Sequence, residues 1–217
     1  MLPGVIPSPT PGRARPLPAD ERRATLIAAT LPLLGRRGTR VTTREIAEAA
    51  GVAEGTIFRV FRDKDELVQA AIAMAFDPSP TLAALDRIDP AQPLRQRMVE
   101  IAEVLQLRLI HVFNLMVACE MTSPPKEVEQ QRGTAHPAHA EILDRIGNLL
   151  APDREQFYLP VGEIVRLLRL LTFAGSHPLI NDGELLTAEQ IANVLLDGVR
   201  SGPLDVVGHR SVQRGDR

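Results

Sequence analysis

Apolar residues recur at spacings of three and four along most of this chain, the period of a helix with one buried face. The longest run predicts a helix over Leu94–Cys119, with Met98, Ile101, Ala102, Leu105, Leu109, Val112, Phe113, Met116 and Val117 in register. Ala138–Leu150 carries Ile142, Leu143, Ile146, Leu149 and Leu150. Val161–Gly175 carries Ile164, Val165, Leu167, Leu168, Leu170, Leu171 and Phe173. Thr187–Arg200 follows, with Ile191, Val194, Leu195 and Leu196 behind a capping Thr187. No stretch alternates apolar and polar residues as a half-buried strand does. The expected fold class is all-α.

The N-terminal third has shorter periods. A first helix is expected from about Pro18–Asp20 through Leu26, Ile27, Leu31 and Leu34, kinked or weakened at Pro32 and ended by Gly35 and Gly38. Thr42 or Thr43 can cap the next helix. With Thr42 as cap, Glu45 stands at the capping-box position. Gly51 can turn the chain at positive φ before a short helix over Glu54–Phe61, and a further helix is expected over Lys64–Phe76. Pro78 and Pro80 then break the chain. Two short helices around Gly51, with Ile46, Ala47, Ala50, Val52 and Ile57 as a small core, follow helix-turn-helix logic.

Charge sharpens that reading. The net charge is −2, but residues 1–64 hold eleven Arg and Lys against six Asp and Glu, while the rest holds fourteen against twenty-one. A basic head on an acidic body suits a polyanionic partner, although a solvated arginine face would look the same. The single cysteine, Cys119, sits in an apolar run and permits no internal disulfide. Six prolines in Met1–Asp20 argue against a signal peptide, and no stretch of ~18 uninterrupted apolar residues is present. A cytoplasmic protein with no membrane partner is expected. Residues 1–18 read as a disordered Pro-rich arm, 19–76 as a helix-turn-helix domain, 77–202 as a larger helical domain, and 203–217 as a flexible tail.

Thr43, Ile46, Ala47, Ala50, Gly51, Val52, Gly55, Thr56, Phe58, Phe61, Lys64 and Leu67, in this order and near the N-terminus, resemble the DNA-binding head of the TetR (tetracycline-repressor) family of bacterial regulators. Phe58 departs from the tyrosine frequent there. The resemblance implies contacts to double-stranded operator DNA from Thr42, Thr43, Arg44, Ala53, Glu54, Gly55, Thr56, Phe58, Arg59 and Lys64. Thr43 and Lys64 would hold phosphates. Arg44 would reach a phosphate or a base edge, and Arg59 would pair with guanine. Arg13 and Arg15 either follow the minor groove or belong to a solvated tail. The last two long helices carry more apolar residues than one internal face consumes, and the family pattern implies a homodimer built on them, with Leu167, Leu168, Leu171, Ile191, Val194 and Leu195 as interface residues; the alternative is that both helices are buried within the monomer.

The remaining helices are expected to enclose a small apolar effector, with Met98, Leu105, Leu109, Phe113, Met116, Leu143, Ile146 and Phe173 as candidate ligand contacts or plain core. His136 and His139 have a spacing that can bind metal, but Pro137 intervenes and no metal or other cofactor is expected. No phosphate loop, dinucleotide glycine pattern or nucleophile–base set is present, so no enzyme is expected. The reading is a ligand-responsive repressor on a palindromic operator; the alternatives are an activator or a helical interaction module without a ligand.

Overall fold

A computed structural model describes residues 18–123, 137–178, 180–181 and 183–199. Every regular element among them is helical, and none is a strand. The described residues form two compact units: one holds residues 18–75 with Ala118–Glu120, the other Phe76–Val117 and the described residues from Met121 on. The Pro-rich arm with Arg13 and Arg15, the His136 and His139 side chains and the C-terminal tail lie outside the described residues.

In the first unit, α1 (Ala19–Arg37) has Asp20 and Glu21 at its positive end and Arg36 and Arg37 at its negative end. It runs through Pro32 and Gly35 without ending. Its buried positions Leu26, Thr30 and Leu34 recur every four residues, and the Thr30 hydroxyl donates to the Leu26 carbonyl at 2.7 Å, so the buried oxygen is satisfied. Gly38, at φ +58°, stops the helix. After a 3-10 turn at Gly38–Arg40 comes α2 (Thr43–Ala50), then a 3-10 helix at Glu54–Arg59, then α3 (Lys64–Ala75). Leu67, Val68, Ala71 and Ile72 of α3 are buried with Leu26, Leu34, Val41, Ile46, Ile57 and Phe61. Arg23 holds this core at its edge: its guanidinium lies 4.3 Å from the Phe61 ring centroid and 3.7 Å from the Glu66 carboxylate.

The second unit contains α4 (Ser79–Leu85), α5 up to Val117 (Leu94–Ala118 in all), α6 (Pro137–Leu150), a 3-10 helix at Ala151–Gln156, α7 (Val161–Ser176) and α8 (Ala188–Val199). Helix α4 lies where the prolines predict only a break. Pro80 sits in its first turn, where no backbone N–H is needed, and Asp77 accepts from both the N–H and the hydroxyl of Ser79. The core draws Leu85, Met98, Ile101, Leu105, Ile146, Leu150, Ile164, Leu168, Ile191 and Leu195 from all five α-helices. Thr187 caps α8 reciprocally with Gln190, at 2.8 and 3.1 Å.

By length and composition α5 is the one helix among the described residues apolar enough to cross a membrane. It passes on averaged hydropathy, which tolerates the charges that interrupt its apolar run. Its buried side chains include Arg97 and Gln106, and the former is only 2% exposed. Arg97 donates to the Pro90 and Gln92 carbonyls and pairs with Asp153. That is the use of a helix packed among protein neighbours.

Candidate nucleic-acid interface

The interface is assembled from both ends of α2. At its start Thr42 accepts from the Glu45 N–H at 3.2 Å while Glu45 accepts from the Thr42 N–H at 2.9 Å, completing the capping box. These bonds hold the Glu45 carboxyl below its usual range, with Arg37 adding a smaller charge effect. At its end Gly51 adopts φ 66°, ψ 33°. Its N–H reaches the Glu48 carbonyl at 3.2 Å, and the Val52 N–H reaches the Ala47 carbonyl at 3.0 Å. Both bonds of a Schellman motif are therefore made, and the turn is fixed by backbone geometry.

That turn delivers Glu54–Arg59 as a 3-10 helix, shorter and tighter than the helix to Phe61 expected from sequence. Its N–H at Thr56 bonds to Ala53, three residues back. Gly55, Thr56, Ile57 and Phe58 are weak helix formers, and six residues are too few to repay nucleation of an α-helix. Ile57 is fully buried and, with Phe61, anchors the segment, while Ala53, Glu54, Gly55, Phe58 and Arg59 are exposed. Phe58 is 54% exposed. A Cβ built on Gly55 would meet nothing within 4 Å, so no internal packing requires a glycine there. Asp63 accepts from the Glu66 N–H at 2.8 Å and so caps α3; that bond and Arg62 lower its pKa.

Of the expected contact residues, Thr43 and Glu54 are brought together by a direct hydrogen bond. Arg59 is exposed and makes no ion pair among the described residues. Arg44 is exposed and bonds Glu48 at 3.0 Å, which raises its pKa further. Lys64 donates one proton to the Thr39 carbonyl at 3.0 Å, leaving two donors. The Thr43 hydroxyl donates to the Glu54 carboxylate. Its one proton is thus committed, and the free N–H groups of the first turn of α2 are what this end of the helix offers an anion. Sequence reasoning placed Thr43 and Glu54 separately and missed the bond across eleven residues.

In the second unit the expected dimer residues divide. Leu168, Ile191 and Leu195 lie in the core of the chain itself, because they share a helix face with Ile164, Ala192 and Leu196. Leu167 and Leu171 are partly buried, while Val194, at 62% exposure, Leu170 and Phe173 face outward. The expected ligand residues divide too. Met98, Leu105 and Ile146 are packed core with Leu143 against it. Phe113 is buried and meets the rings of Phe173 and His177 at centroid distances of 5.1 and 4.5 Å. Leu109 and Met116 are half-buried. A separate cleft of about 590 Å³ is lined by Pro90, Pro93, Arg95, Arg97, Pro152 and Gln156 among others, and none of the expected ligand residues borders it.

Residues 26–71 match the family described as bacterial regulatory proteins, tetR family. The chain is 34% identical over 125 residues to the HTH-type transcriptional regulator TtgR of Pseudomonas putida, covering 54% of this chain and 60% of that one. It thus spans about three-fifths of the length of this relative and of the probable HTH-type transcriptional regulator ArpR of the same species. Among solved structures, the fatty acid degradation regulator FadR of Bacillus halodurans superposes with a TM-score of 0.56 at 16% identity, over 82% of this chain and 95% of that one. The TetR transcriptional regulator SCO0520 of Streptomyces coelicolor gives 0.51 at 17% identity, over 82% and 98%. These two likenesses concern the fold.

Proposed function

We propose that this chain, whose residues 26–71 match the tetR family of bacterial regulatory proteins, is a member of that family and a ligand-responsive transcriptional repressor that binds a palindromic operator as a homodimer. One observation carries the reading: the double-bonded turn at Gly51 presents an exposed Glu54–Arg59 edge beside the N-terminus of α2. A rigid turn with a protruding short helix is what major-groove reading requires. Arg59 reads a guanine edge, and Lys64 and the first turn of α2 hold phosphates.

One such probe discriminates weakly, so two copies about 34 Å apart read successive turns of the duplex. The outward apolar residues Leu170 and Val194, with Leu167 and Leu171, are the surface a second copy covers. A small apolar or aromatic effector binds beside Phe113 and Phe173, whose edge-on rings suit an aromatic ligand. The effector shifts the dimer away from its operator-binding form, a coupling of ~1–3 kcal/mol in typical cases. No catalytic role and a cytoplasmic location complete the proposal.

Selection of bound duplexes from a randomised pool by the full chain tests it. The expected result is a palindrome whose half-sites lie about 10 bp apart, released by an aromatic small molecule. Enrichment of no duplex, at low salt as well as high, would overturn the reading.

A further inference from the structure

Glu54 is the one acid in the exposed Glu54–Arg59 edge, the edge that the proposed function sets against duplex DNA. Duplex DNA carries one phosphate charge per about 1.7 Å of axis, so an acid there is unfavourable unless something specific compensates it. Stabilising α2 is not an adequate reason for its presence. The cap of α2 is already complete through Thr42 and Glu45. Glu54 is nevertheless held: the hydroxyl of Thr43, the residue before Arg44, donates to one carboxylate oxygen. That bond uses Oε1, and Oε2 can still accept.

A positioned oxygen that only accepts hydrogen bonds has few partners in the major groove. Guanine offers acceptors there, and thymine an acceptor and a methyl group. Adenine offers its N6 donor beside the N7 acceptor, which would face the carboxylate acceptor to acceptor. Cytosine offers the N4 donor alone. The partner guanine of that base pair presents O6 and N7, which suit the neighbouring Arg44 guanidinium.

We infer that Glu54 is a specificity-determining residue that selects a cytosine in each operator half-site, with Thr43 as the positioning residue that aims its carboxylate. This rests on the DNA-binding reading above.

The test repeats the duplex selection with the full-length wild type and with Glu54→Gln, Glu54→Ala, Thr43→Val and Thr43→Ser, each first checked for unchanged helicity and melting temperature. The wild type should fix one cytosine per half-site, preferred over other bases by about ten-fold. Glu54→Gln should change that position to adenine, whose N6 and N7 match a carboxamide. Glu54→Ala should leave it unselected. Thr43→Val should weaken the cytosine preference several-fold with the other positions intact, and Thr43→Ser should restore it. A cap or surface ion pair would alter stability without moving base preference. An enriched motif identical in wild type and Glu54→Gln would overturn this inference while leaving the DNA-binding reading in place. No enriched motif for the wild type would overturn both.

Discussion

Two glycines in the first unit have positive φ for different reasons, and replacing each by alanine separates those reasons by size. Gly51 sits at φ 66°, ψ 33°, and a Cβ there would meet nothing within 4 Å. Gly51→Ala therefore carries only the left-handed backbone penalty of ~1–2 kcal/mol. That is offset by ~0.4–1 kcal/mol from a less flexible unfolded chain, for a net loss of roughly 1 kcal/mol. Gly38 sits at φ 58°, ψ −150°, a region open essentially to glycine alone, and its Cβ would lie 2.0 Å from the Ala118 carbonyl oxygen. Both partners are backbone, so no rotamer change relieves the clash. Backbone strain of ~1–3 kcal/mol adds to a repacking term of similar size, giving roughly 3–4 kcal/mol after the same offset. Against a total of ~5–15 kcal/mol the second change is severe. Urea unfolding followed by far-ultraviolet circular dichroism measures both. Equal losses, or a larger loss for Gly51→Ala, would refute the assignment of the Gly38 constraint to Ala118.

Asp153→Ala should destabilise by about 1–3 kcal/mol in urea, because Arg97 loses its carboxylate partner while keeping the Pro90 and Gln92 carbonyls. The double change Arg97→Met with Asp153→Leu should recover most of that loss. Val194→Glu should leave secondary structure intact and convert the protein to a monomer by light scattering, since this exposed side chain borders the outward face of α8; a dimer of unchanged affinity would contradict the proposed interface. Asp63 has a lowered pKa in the folded chain, chiefly from the Glu66 N–H. Its contribution is therefore present above the unfolded value near pH ~4 and is lost as pH falls through the folded one. Asp63→Asn, which keeps the cap without the titration, should flatten the acid limb of the stability curve.

Much of this molecule is legible in its sequence, and what is not has common causes. Thr42 with Glu45 and Gly51 can be read because capping and turn chemistry act over three or four residues. The long helices can be read from their period. Helix α4 escapes because Pro78 and Pro80 look like breakers, whereas Pro80 in a first turn and the Asp77 side chain begin a helix. The Thr43–Glu54 bond and the Arg97–Asp153 pair join residues eleven and fifty-six apart, and nothing in the period marks such partners. Leu168 and Leu170 look alike in a run of leucines, yet two residues along α7 turn one into the core and the other out of it.

The most direct test of the central claim is methylation interference at guanine N7, an atom that lies in the major groove. On the selected operator, the wild type should show two clusters of interference about one helical turn apart, and Arg59→Ala should lose one guanine from each. Interference that is absent, or identical in Arg59→Ala, would contradict the placement of the Glu54–Arg59 edge in that groove.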